Sequence, residues 1–87
     1  MSVKVEVTVE DISNASHGPD ISFQCPIAKA LKRSGFAEAE VGSDFVRLFR
    51  TPGDPVFEKY DLPDVAQEFI RLWDIGLNVA PFEFELN

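Results

Sequence analysis

The eleven residues from Cys25 to Gly35 constrain the fold more than any other stretch, because they specify both ends of one helix. Pro26 suits the first helical turn: its φ is already helical, and its missing N–H would have no intrahelical partner there. Gly35 can take the left-handed conformation that ends a helix, and Lys32 and Arg33 in the last turn complement the negative end of the macrodipole. Ile27, Ala30, Leu31 and Ser34 recur at helical spacing, while Lys29, Lys32 and Arg33 fill the remainder. The stretch therefore reads as a short amphipathic helix with an apolar inner face and a basic outer one.

The flanking segments supply strands and a second helix. Ser2 to Glu10 alternates strictly, with Val3, Val5, Val7 and Val9 on one side and Lys4, Glu6, Thr8 and Glu10 on the other, the period-2 pattern of a half-buried strand. Thr8 with Asp11 resembles a capping pair, so the chain can turn into a short helix over Val9 to Ala15 with Ile12 inward. Ser16 to Asp20 is a loop by composition, and Ile21 to Gln24 either continues it or forms a brief extended piece. Ala39 to Gly42 and Asp44 to Arg50 read as extended segments around a turn near Gly42-Ser43. In the second, Phe45, Arg47 and Phe49 face one way and Val46, Leu48 and Arg50 the other, which suits a central strand. Thr51 to Pro55 is a turn, and Val56 to Tyr60 returns as a strand. Asp61-Leu62-Pro63-Asp64 opens the second helix, whose stripes are Val65, Phe69, Leu72 and Gly76 beside Ala66, Ile70 and Trp73, with Gly76 as its glycine stop. Asn78 to Leu86 is the final strand, placed at an edge by Pro81, which cannot donate to a ladder. The expectation over residues 1–87 is one small α+β domain, a mainly antiparallel sheet with two principal helices packed on one face.

A chain of 87 residues buries roughly 60 to 65% of its unfolded surface, enough for one modest core. No apolar run approaches the roughly 18 residues of a membrane span, and no basic-then-apolar leader opens the chain, so a soluble cytoplasmic protein is expected. The net charge of −7 is unevenly spread. Residues 25–50 hold five of the eight bases against three acids, whereas residues 51–87 hold eight acids against two bases. Such a surplus of acid disfavours non-specific nucleic-acid binding and favours partners with basic surfaces.

Four constellations could carry chemistry. Cys25 at a helix start has the position that favours a thiolate, with His17 eight residues earlier, yet no third group or oxyanion donors accompany them, and a small buried cysteine is the simpler expectation. One Cys and one His fall short of a structural zinc site, and no metal or cofactor is expected. Lys29, Lys32, Arg33, Arg47 and Arg50 could gather around an anionic nucleotide, although no glycine-rich phosphate loop accompanies them. Glu58, Asp61, Asp64, Glu68, Glu83 and Glu85, with Asp54 and Asp74, could present carboxylates to a basic partner. The terminal strand, with Phe82, Phe84 and Leu86, offers an edge for a homodimer.

Val7-Thr8-x-x-Asp11-Ile12, Cys25-Pro26-Ile27-Ala28-x-Ala30-Leu31 and Val41-Gly42 resemble a pattern found in small bacteriophage proteins, especially those of actinobacterial phages, and in some bacterial genomes. The resemblance covers the first half of the chain and transfers no catalytic or binding residue. Where that group has a basic or glycine-rich stretch before the Cys-Pro, this chain has Ser16-His17-Gly18-Pro19-Asp20. It implies a non-enzymatic accessory protein that acts in the cytoplasm of a bacterial host by binding and blocking or redirecting a host component, a defence system being one candidate. A small protein that sequesters an anionic nucleotide is the alternative, and a thiol enzyme centred on Cys25 ranks last.

Overall fold

A computed structural model describes residues 3–53 and 55–86; Ser2 of the expected first strand and Asp54 of the expected turn lie outside them. The order is β1 (Val3–Val7), α1 (Val9–Asn14), α2 (Ile21–Gln24), α3 (Pro26–Arg33), β2 (Glu38–Val41), β3 (Phe45–Phe49), β4 (Glu58–Asp61), α4 (Asp64–Asp74) and β5 (Phe82–Leu86). The α+β class is as the sequence implies. The strands are divided between two antiparallel ladders, β1–β5 and β2–β3–β4. Val3 faces Leu86 and Val7 faces Phe82 in the first ladder, so the two ends of the described chain pair with each other.

Helix α3 packs against both β1 and β2 and so joins the two ladders. Its Pro26, Ile27, Ala28, Ala30 and Leu31 are buried, and Ile27 and Leu31 are fully enclosed. Each such side chain contributes roughly 1.5 to 3 kcal/mol on leaving water. The helix ends as its sequence dictates, at Gly35 with φ +116°. Helix α4 adds Ala66, Phe69, Ile70 and Trp73 to the same core, and Phe69 stacks on Phe82 of β5 with ring centroids 4.5 Å apart. Val65, expected on its apolar stripe, is 54% exposed; the buried stripe runs through Ala66, Phe69, Ile70 and Trp73.

The first strand stops early because Thr8 caps α1. Thr8 N–H donates to Asp11 Oδ2 at 2.9 Å and Asp11 N–H donates to Thr8 Oγ1 at 3.3 Å, a reciprocal capping box. Val9 consequently leaves the strand and is 61% exposed. Arg33 Nη2 donates to Asp11 Oδ2 at 3.0 Å and to the Glu6 carbonyl at 2.7 Å, which ties α3 to both α1 and β1. Burial of Asp11 would raise its pKa, but the hydrogen bonds from Arg33 and Thr8 and the guanidinium charge outweigh it and hold the carboxyl below its ordinary value. Ile21 to Gln24 forms one helical turn rather than a loop or extended piece, closed by Ser16 N–H donating to the Gln24 carbonyl at 2.9 Å. Four residues are too few to show a period.

The second ladder consists of two hairpins. At the first, Gly42 N–H donates to the Phe45 carbonyl at 2.8 Å, and a Cβ at 42 would collide with the Phe45 ring, which is why glycine stands there. Val46 and Leu48 face the core while Phe45, Arg47 and Phe49 lie half-exposed on the other face, as a central strand requires.

Candidate partner-binding surface

Cys25 is the N-cap of α3, and its Sγ accepts a hydrogen bond from Ala28 N–H at 3.4 Å. The residue is 4% exposed, and burial pushes its thiol up to about 11 despite the neighbouring backbone donors. Desolvation therefore overcomes the helix terminus, and the thiolate is scarce at neutral pH. His17 is engaged elsewhere: its ring stacks on Trp73 at 3.8 Å between centroids, with Nε2 2.8 Å from the Trp73 carbonyl. Among the described residues no group of three or more His, Cys, Asp or Glu side chains could hold a metal ion.

Four of the five bases of the middle third are paired with carboxylates. Lys32 pairs with Glu38 at 3.4 Å, Arg33 with Asp11 at 3.0 Å, Arg47 with Glu40 at 2.6 Å, and Arg50 with Glu58. The Arg47 guanidinium also lies 4.8 Å from the Phe45 ring centroid and 5.5 Å from that of Phe57, and Arg50 lies over Phe36. Lys29, half-buried on α3, makes no ion pair among the described residues. Each paired cation is thus committed to a local carboxylate.

The acids divide into two groups. Glu58 is held below the ordinary carboxylate range by hydrogen bonds from Arg50 and Tyr60, and Glu68 by its hydrogen bond from Arg71. Glu83 pairs with Lys4 at 3.5 Å across the β1–β5 ladder. Asp61, Asp64, Asp74 and Glu85 are exposed and make no ion pair among the described residues.

Two of the four, Asp64 and Asp74, line one groove of about 510 Å³ between α4 and the β2–β3 turn, with Ser43 on the far wall. Leu62 N–H donates to the Asp44 carbonyl at 2.9 Å, which fixes that turn against the start of α4. Ile70 and Ile75 give the groove apolar surface, and Ile75 is 62% exposed. Arg71 lies in the groove but is tied to Glu68 at 2.5 Å. A smaller cleft of about 150 Å³ shares Ser43, Ile70 and Asp74 and reaches Cys25. The sequence marked Asp64 and Glu68 as partner-facing acids; Ser43 and the α4 exit at Ile75 carried no such signal, because a contact across the fold assembles them.

Comparison with protein-family models, with curated proteins and with solved structures found no match for the chain. Among the described residues no helix is long and apolar enough to cross a membrane.

Proposed function

We propose that this chain is a non-enzymatic binding protein of the small phage accessory type, whose α4 groove takes a basic, partly apolar segment of a host protein and thereby blocks or redirects it. The observation that carries this reading is the groove itself: among the described residues Asp64 and Asp74 make no ion pair there, Arg71 being tied to Glu68, and the exposed Ile75 stands beside them. A segment with lysine or arginine flanking an aliphatic residue satisfies both features at once. Complementary charge at such a site raises the association rate and selects against acidic partners. The alternative, capture of an anionic nucleotide by Arg47, Arg50 and Lys32, has less support, because each of those cations already has a carboxylate.

A peptide of alternating Lys and Leu is a direct probe. Titrated into the protein, it is expected to shift the backbone resonances of α4 and of Ser43. The double reversal Asp64→Lys/Asp74→Lys is expected to weaken binding about tenfold or more, and added salt to weaken the unmodified protein in the same direction. Equal affinity of the two proteins for the peptide would remove the groove from consideration.

A further inference from the structure

Strand β4 forms one margin of the three-stranded sheet. Two hydrogen bonds at the strand ends reveal which of its backbone groups are used. Phe45 directs its carbonyl to Gly42, hence toward β2, and Asp44 accepts from Leu62, hence toward β4. In an antiparallel ladder, the N–H and C=O of one residue point to the same side, and the side alternates along the strand. Phe45 and Arg47 therefore face β2, whereas Val46 and Leu48 face β4. With Tyr60 opposite Val46 and Glu58 opposite Leu48, the backbone groups of Glu58 and Tyr60 turn toward β3. Those of Lys59 and Asp61 turn outward. Both residues are exposed, and neither forms an ion pair among the described residues.

We infer that the outer edge of β4 is a homodimer interface, on which a second copy of this chain lays its own β4 antiparallel about a twofold axis at Tyr60. In that register Lys59 stands opposite Asp61 of the second copy, and Asp61 opposite Lys59 of the second copy. Both members of each pair already point their N–H and C=O outward, so each pair exchanges two backbone hydrogen bonds and sets opposite charges side by side. Tyr60 meets its symmetry mate at the intervening, closer spacing. Centring the axis on Lys59 sets like charges together, as does centring it on Asp61, where Lys59 would also face Pro63, which has no N–H to give. Charge and hydrogen bonding thus choose the same register. An edge lysine normally blocks strand addition, but a lysine followed two residues later by an aspartate admits a copy of itself. The terminal strand β5 lacks this property: its exposed side chains are Glu83 and Glu85, and two such edges brought together oppose like charges.

Sedimentation equilibrium of the full chain from micromolar to millimolar concentration tests the interface. The unmodified protein is expected to dimerise, and Lys59→Asp or Asp61→Lys alone to weaken dimerisation about tenfold or more, since each places like charges opposite one another twice per dimer. The combined swap Lys59→Asp/Asp61→Lys is expected to restore dimerisation to within a few-fold of the original. Both side chains are exposed, and a circular dichroism spectrum for each variant identifies any that does not fold. A monomer at the highest concentration would overturn the inference, as would single reversals that leave the dimer unchanged or a combined swap that fails to rescue it in a folded protein.

Discussion

Helices α3 and α4 both lay an apolar face on the same core, yet their outer faces are bound differently. On α3, Lys32 and Arg33 reach Glu38 and Asp11 on other elements, so the helix is fastened on its outer side as well as its inner one. On α4, the one cation of the last turn, Arg71, pairs with Glu68 on the same helix, while Asp64 and Asp74 pair with nothing among the described residues. Val65 and Ile75 are exposed beside them. The two helices thus differ in how far their charges are paired: among the described residues α3 leaves Lys29 without an ion pair, whereas α4 leaves both Asp64 and Asp74.

The largest expected effect lies on α3. Leu31→Ala removes a fully enclosed side chain at the junction of the two ladders and should lower stability by about 3 kcal/mol in urea unfolding. A loss near that of an exposed α4 substitution would abolish the contrast. Next in size, Asp11→Ala removes a capping box and the carboxylate that holds Arg33, at a cost of about 2 kcal/mol at neutral pH. The Asp11 pKa is lowered in the folded state, so its contribution is complete above the unfolded pKa and is lost as pH falls through the folded one. The gap between the two proteins should therefore close on acidification below about pH 4; a gap independent of pH would assign the loss to packing alone. Smallest is Ile75→Ser at the C-cap of α4, expected to change stability by no more than about 0.5 kcal/mol while weakening binding of the Lys/Leu peptide, a separation that Leu31→Ala cannot produce.

Local chemistry was the part of this fold legible from residues alone. Alternation announced β1 and β5, the Thr8–Asp11 pair announced the turn into α1, and Pro26 with Gly35 bounded α3 to within a residue or two. Two features escaped. The four-residue α2 is held by a Ser16–Gln24 backbone bond rather than by periodicity, and the division of the strands into two ladders, joined through α3, is set by contacts distant in sequence. Val65 shows the limit of the stripe argument, because a helix period marks two candidate faces and only the neighbours decide which is covered. At the site, the acids were legible as charge, but their loss or retention of a partner was not. Among the described residues Glu58 and Glu68 are paired and Asp61 and Asp64 are not, a difference set by where Arg50 and Arg71 reach.

The pairing of Val3 with Leu86 has a kinetic consequence. The β2–β3 and β3–β4 hairpins close short loops, whereas the β1–β5 ladder must bring together residues separated by nearly the whole described chain. The entropy of closure grows only with the logarithm of loop length, about 0.6 kcal/mol for each doubling, so the equilibrium cost of this arrangement is modest. Its effect on folding rate is larger, since distant contacts slow the search for the native topology. Joining the ends by a short linker and opening the chain at the exposed Thr51–Gly53 turn would exchange those roles, making the β1–β5 ladder the local hairpin and β3–β4 the distant pair.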